Sequence, residues 1–468
     1  MVFSSLTFLF FFLPVTAALY FICPKRVWRN AVLLVASLVF YSWGEPKLLL
    51  LLIAASLVAY LGAWGMDAAA QRGRARLSTA LYVVTLCLLA GNLFAFKYLN
   101  FAADNLCALF GRTSALPAVA LPIGISFYTF QIMSYVIDLR RGEVPVQKNY
   151  LYLLLYISFF PQLIAGPIVR YQTVHEEIVT RRENVAEAAA GARRFVIGLA
   201  KKVLLANGIA ELVEIIYAGD PAVFGSTMYW LAGIAYALQI YFDFSGYSDM
   251  AIGLGRVFGF HFLENFDHPY TSLSVTEFWR RWHISLSTWF RDYIYIPLGG
   301  NRVGRGRWVL NILIVWGLTG FWHGAQWNFL LWGLYYGVLL LVEKLWLQKL
   351  LERLPKALRW VYATALVVIG WVLFSITNTP QLLAALAQMF RFAPTDWAGV
   401  LAHNTSILYG LVYLPLGAVC ALPLGRLLPK RESAGVLAVK NAACLILLLL
   451  CMAFLISSSY NPFIYFRF

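Results

Sequence analysis

Long apolar runs recur along the whole chain, and they decide its solvent. A helix that crosses a bilayer needs ~20 mostly apolar residues, because each residue rises ~1.5 Å against ~30 Å of hydrocarbon. Such stretches lie at roughly 5–22, 30–43, 48–64, 78–98, 118–138, 203–217, 226–244, 308–322, 327–347, 360–377, 406–424 and 436–457. Of the 468 residues, 61% are hydrophobic and 13% are charged. Soluble domains run nearer ~25% charged. Mean hydropathy is +0.71. A soluble fold of this length has no interior large enough for so much apolar surface. The expected architecture is all-α: a polytopic membrane helical bundle of about 11 to 13 spanning and re-entrant helices. No linker or repeat divides it, so residues 1–468 are expected to form a single integral membrane domain.

Charge gives the orientation. The net charge of +15 reads as Lys and Arg crowding the cytoplasmic loops, not as a nucleic-acid surface. No basic residue precedes Lys25, Arg26 and Arg29, which favours an outside N-terminus and an inside first loop. The cluster Arg72, Arg74 and Arg76 and the pair Arg140 and Arg141 fall two spans apart each time, inside again. The opening Met1-Val2-Phe3-Ser4-Ser5 lacks a basic n-region, so the first apolar run is expected to be a retained helix. The six cysteines are scattered and form no CxxC, so neither a disulfide framework nor a zinc site is expected.

Two segments break the pattern. Residues 150–169 are apolar, yet strongly basic stretches flank them on both sides. A re-entrant segment that enters and leaves on one face removes the conflict, and Pro161, Gly166 and Pro167 supply its breaks. An ordinary kinked span is the alternative. Residues 246–307 are long, rich in Arg and Trp, and too polar to span. Within them Trp282, Trp289 and Tyr293 fall at i, i+7 and i+11, which on one helix gives a single interfacial face. The polar patch 243–249 reads as a span end at the cytoplasmic face. Its carboxylates, Asp243 and Asp249, would bind a cation, shape a pocket or only close a helix end.

His323 follows Arg307 by sixteen residues, so a helix from that charge rises ~24 Å and places it in the middle to outer half of the membrane. An ionisable group at that depth is a functional-site hypothesis by default. The structural alternative is a buried histidine bonded to a neighbouring helix. Gly317, Gly320 and Gly324 either permit close helix packing or open a cavity. His283, forty residues earlier, is the second candidate. Two histidines reached from opposite faces would suit the movement of a group across a membrane, and histidine is the natural base near neutral pH. His175, His261, His268 and His403 lie in loops, and no HExxH spacing occurs.

Ordered blocks then carry a resemblance. They are YSWGEPK at 41–47, LPIGISFYTFQ at 121–131, QLIAGPIVR at 162–170, YFDFSGYSDMAIGLG at 241–255, FWRRWHISLSTWFRDYIYIPLGGNR at 278–302, FWHG at 321–324 and NPFIYFRF at 461–468. With them the chain resembles the membrane-bound O-acyltransferase family, in its bacterial branch of alginate O-acetyltransferase membrane subunits. The resemblance implies that His323 is the family's catalytic histidine and that His283 occupies its second catalytic position. It implies acetyl-CoA, or another acyl thioester, as donor substrate from the cytoplasm, with no permanently bound cofactor and no metal. It implies an inner-membrane location and a periplasmic partner that esterifies an extracellular polysaccharide. The acyl-donor pocket is expected to draw on Trp279, Arg280, Arg281, Trp282, Ser285, Arg291, Phe321 and Trp322, with Asp243, Asp249 and Asn265 as supporting polar groups. A transporter or flippase of a polar or lipid-linked envelope precursor is the rival reading.

Overall fold

The computed structural model describes residues 1–117, 119–427 and 433–457. The closing block 461–468 and residue 118, the start of one expected span, lie outside them. Among the described residues every regular element is a helix, as the apolar runs predict. Six helices among the described residues are long and apolar enough to cross a membrane: Leu49–Gln71, Ala75–Leu109, Val223–Val257, Trp327–Leu351, Lys356–Ser375 and Ala434–Ser457. Phe8–Phe21 and Ser406–Cys420 are shorter apolar helices. Leucine-rich faces that would be buried in a soluble protein stay exposed here. The helix Ala434–Ser457 buries only 6% of its apolar window against protein, so its remaining surface needs lipid.

The chain divides into two compact units, each described on its own terms. The first comprises Met1–Phe195 with Met250–Leu263, and the second Val196–Asp249 with Glu264–Phe468. In the first unit, α1 (Leu49–Gln71) and α2 (Ala75–Leu93) form a tight hairpin, turned at Gly73 in the left-handed region (φ 68°). Further along, α3 (Ile125–Arg141) starts seven residues later than the apolar run at 118 predicts. Gly124 caps it at φ 73°, and a Cβ there would stand 2.6 Å from the Leu163 carbonyl oxygen, so only glycine fits. Residues 150–169 are broken, as both the re-entrant and the kinked-span readings allow. Helix stops at Ser158, Phe159 is non-helical, and one turn over Phe160–Leu163 precedes an irregular stretch containing Gly166 and Pro167. Nearly all of this stretch is buried, which protects its irregular backbone. Glu183 ties the unit's polar edge together, taking ion pairs from Arg26 and Arg29 at 2.5 Å each.

In the second unit the long helix α4 (Pro221–Val257) kinks at Gly225 and then runs on without a break. This corrects the expectation that a span ends at the patch 243–249. The patch lies mid-helix. Its carboxylates are already matched by lysines from the π-helical turn Lys201–Ala206: Lys202 Nζ lies 2.6 Å from Asp243, and Lys201 Nζ 2.7 Å from Asp249. Gly246 lets that turn approach, since a Cβ would sit 2.7 Å from the Gly198 carbonyl oxygen.

The Arg- and Trp-rich stretch folds as α5 (Val275–Arg281) and α6 (Ile284–Phe290), followed by a π-helical turn over Arg291–Tyr295. The expected single face through Trp282, Trp289 and Tyr293 therefore does not form. His283 adopts a left-handed conformation (φ 45°) and turns the chain between the two helices. All three aromatic residues are instead buried in protein contacts. Then α7 (Arg305–His323) and α8 (Trp327–Val342) pack along each other, and α9 (Lys356–Ser375) backs α8. Their contact is backbone to backbone. A Cβ on Gly320 would meet the Phe329 oxygen at 2.2 Å, and one on Gly333 the Trp316 oxygen at 2.3 Å. Of the expected alternatives, Gly320 serves packing.

Candidate active site

His323 ends α7, where the last helical carbonyls face the ring's end of the helix. Gly324 follows in extended backbone, with the Phe329 ring where its Cβ would be. The His323 ring is 8% exposed and sits edge-on among Trp322, Trp332 and Phe374, with centroids at 4.9, 5.1 and 5.3 Å. Such walls exclude water and strengthen any charge interaction inside them.

His283 is 1% exposed. Its position depends on α5, and α5 is fixed at its N-terminus by two devices. Ser274, the N-cap, accepts the Glu277 N–H at 3.0 Å, while Glu277 accepts the N–H of the preceding Leu273 at 2.9 Å, a variant of the capping box. Glu343, buried on the continuation of α8, accepts the N–H groups of Val275 and Thr276 at 2.7 and 2.8 Å. An anion at a helix N-terminus also meets the positive end of the helix dipole. Beyond the turn, Asn265 takes over. Its carbonyl accepts the Ile284 N–H at 3.0 Å, and its side-chain Oδ1 lies 3.1 Å from His283 Nδ1 and 2.8 Å from the Ser285 hydroxyl. Burial pushes the His283 imidazole well down, to about 3, so the ring is neutral.

Both histidines line one pocket of ≈ 230 Å³. Aliphatic and aromatic side chains form most of its wall, including Leu286, Phe290, Ile312, Val315, Trp279 and Trp316. Cations gather on it too: Arg280, Arg291 and Lys344, all exposed. The two candidate histidines thus stand in the wall of one cavity. Of the other expected pocket residues, Trp279, Arg280 and Arg291 line it. Arg281 turns away to pair with Glu277 at 2.8 Å and Asp267 at 3.6 Å. Trp282 packs on Phe266, Phe278 and Trp371. Ser285 serves Asn265. Trp322 stands behind the pocket in contact with both histidine rings, and Phe321 precedes it half-buried. Asp243 and Asp249 hold lysines. Sequence reasoning missed Lys344, Tyr295, Thr319 and the aliphatic lining. It also missed Glu343, although Ser274 and Glu277 carry the capping-box spacing that marks where α5 begins.

The described chain is helical throughout its regular elements, and two buried imidazoles line one largely apolar pocket in it. The comparisons with known proteins say which chemistry this serves. A model described as the membrane-bound O-acyltransferase family matches residues 77–385, and the chain belongs to that family. The match contains both histidines. The chain is 43% identical over 403 residues to the "Probable alginate O-acetylase" of Azotobacter vinelandii, covering 85% of this chain and 79% of that one. It is 38% identical over 494 residues to the protein of the same description in Pseudomonas putida, over the full length of both. It is 30% identical over 519 residues to the peptidoglycan O-acetyltransferase of Helicobacter pylori, covering 100% of this chain and 98% of that one. This protein is therefore a multi-pass membrane O-acyltransferase.

Proposed function

We propose that the protein moves acetyl groups from cytoplasmic acetyl-CoA across a bacterial inner membrane for O-acetylation of an extracellular polysaccharide, through a periplasmic partner. The observation that carries this reading is the pocket itself: two buried imidazoles, an apolar wall and three cations. Arg280, Arg291 and Lys344 suit the phosphates of CoA, since charge-assisted bonds to phosphate are the strong ones. The apolar wall suits the pantetheine arm and a short acyl group. The relatives' names, which include alginate, peptidoglycan and teichoic acid as acceptors, favour an envelope polymer.

In the transfer, the acceptor hydroxyl oxygen bonds to the thioester carbonyl carbon and the carbon–sulfur bond breaks. His323 takes the hydroxyl proton, a step worth ~10²–10⁴ in rate. The helix terminus it occupies carries about half a negative charge, which favours the imidazolium that forms. The Trp279 indole N–H is buried without a partner among the described residues and is a donor available to the carbonyl oxygen as it gains charge. Proteoliposomes supplied with labelled acetyl-CoA and the periplasmic partner test the reading. Label on the acceptor supports it. Movement of a polar or lipid-linked precursor without acyl transfer would make the protein a transporter instead.

A further inference from the structure

We infer that Asn265 is a positioning residue that commits His283 to the tautomer protonated at Nδ1, leaving Nε2 a bare acceptor in the pocket. The argument starts from a donor whose direction is fixed. The Ser285 backbone N–H points at the Asn265 side chain, 3.2 Å from Oδ1. A backbone N–H only donates, so the amide atom facing it is the oxygen, and the amide has one orientation. The Asn265 Nδ2 then donates to Ser248 Oγ at 3.1 Å. The same Oδ1 faces His283 Nδ1 at 3.1 Å. Two acceptors do not bond, so Nδ1 carries the hydrogen. A neutral imidazole has one N–H, and Nε2 is therefore a lone pair.

The ring stays neutral because nothing anionic touches it. Phe244 of α4 meets it edge-on at 4.6 Å, and beside Phe244 the Asp243 carboxylate is matched by Lys202. The other titratable groups lining the pocket are Arg280, Arg291, Tyr295, Lys344 and His323, none of them a carboxylate, and the charged ones among them are cations; Asp292, outside the lining, pairs with Arg291 at 2.6 Å. Like charge disfavours a second cation. His283 Nε2 is buried with no hydrogen-bond partner among the described residues. A buried acceptor left unmet is costly, and a substrate donor group recovers that cost.

The inference rests on the acyl-transfer reading and divides the labour within it. As the carbon–sulfur bond breaks, the departing thiolate needs a proton. His283 has none at Nε2 to give. It accepts a hydrogen bond from a substrate N–H or O–H, while the proton delivered to sulfur is the one His323 took from the hydroxyl.

Nitrogen NMR of the full chain in lipid nanodiscs, labelled in its histidine rings, tests this directly. The His283 signals are assigned by their loss in His283→Gln. Nδ1 protonated and Nε2 bare at neutral pH is the expected result, and Nε2–H or an imidazolium would overturn it. Asn265→Asp keeps the acceptor oxygen but sets a negative charge against Nδ1–H. A negative charge raises the pH at which the ring becomes neutral, so the pH at which the His283 nitrogen signals report Nε2 protonation should move up by about one pH unit or more. Asn265→Leu should give a mixture of tautomers. Unchanged His283 signals in both variants would reduce Asn265 to a structural role and sink the proposal. The spectra need no turnover, so a failed acyl-transfer assay would count against the proposed function alone.

Discussion

Gly320→Ala converts a packing detail into a catalytic one. The new methyl would lie 2.2 Å from the Phe329 carbonyl oxygen and 3.1 Å from the Gly333 Cα. Ordinary contacts start near 3.5 Å, so α7 and α8 must part by about 1 Å. Backbone atoms cannot rotate out of the way as a side chain can. Overpacking of this kind costs about 1–3 kcal/mol. His323 lies three residues further along the same helix and moves with it, and a misplacement of ~1 Å at a reacting group can cost ~10²-fold. Gly317→Ala, one turn earlier, is the internal control. Its methyl would meet only Leu330 and Leu334 side-chain carbons, both at 3.9 Å. Alanine also favours helix over glycine by up to ~1 kcal/mol. Purified in detergent, Gly320→Ala should melt lower than wild type and, reconstituted, should transfer acetyl about a hundredfold more slowly. Gly317→Ala should match or exceed wild type in both. Equal behaviour of the two variants would refute the backbone-contact account.

Other outcomes follow from single contacts. Lys202→Met strands the buried Asp243 carboxylate and should cost about 3–5 kcal/mol, read as a lower melting temperature; the double change with Asp243→Leu should recover much of it. Arg280→Ala and Arg291→Ala should raise KM for acetyl-CoA more than they lower kcat, and a pure kcat loss would remove both from the phosphate role. Burial alone would raise the Glu183 carboxyl, but hydrogen bonds from Arg26 and Tyr20 outweigh it and hold the group at about 2. A depressed carboxyl stabilises the fold above its unfolded value of 4.5 and loses that contribution as pH falls through about 2. Melting temperature should therefore drop across that window in wild type, while Glu183→Gln starts lower at neutral pH and lacks the drop. Parallel curves would contradict the ion-pair assignment.

Much of the molecule was legible because lipid imposes length on helices. The apolar runs located the starts of the long helices to within about four residues but ended three of them well short, at 64, 98 and 244 against Gln71, Leu109 and Val257, and the sixteen-residue gap from Arg307 placed His323 at the far end of α7. The bend at His283 was not legible. Aromatic spacing through 278–293 continues a helical period across it, and nothing local in the sequence stops the helix. The break is stabilised from a distance: Asp267 donates its N–H to the Arg281 carbonyl, and Ile284 donates to the Asn265 carbonyl, so the backbone groups released by the bend find partners on the connector. Glu343 was hidden for the same reason. It reads as a charge at the inner end of a span, and only the fold brings it to the first turn of α5. Asp243 and Asp249 looked like a span end because charge inside an apolar helix is costly, and the lysines that offset it come from a separate π-helical turn.

The central claim is that His323 takes the acceptor's proton in the pocket it shares with His283. Single-turnover transfer from labelled acetyl-CoA, in proteoliposomes carrying wild type or His323→Ala at matched abundance and melting temperature, tests it most directly. Transfer should fall by ~10²–10⁴ in the variant while acetyl-CoA binding persists. Transfer at the wild-type rate in His323→Ala would contradict the account.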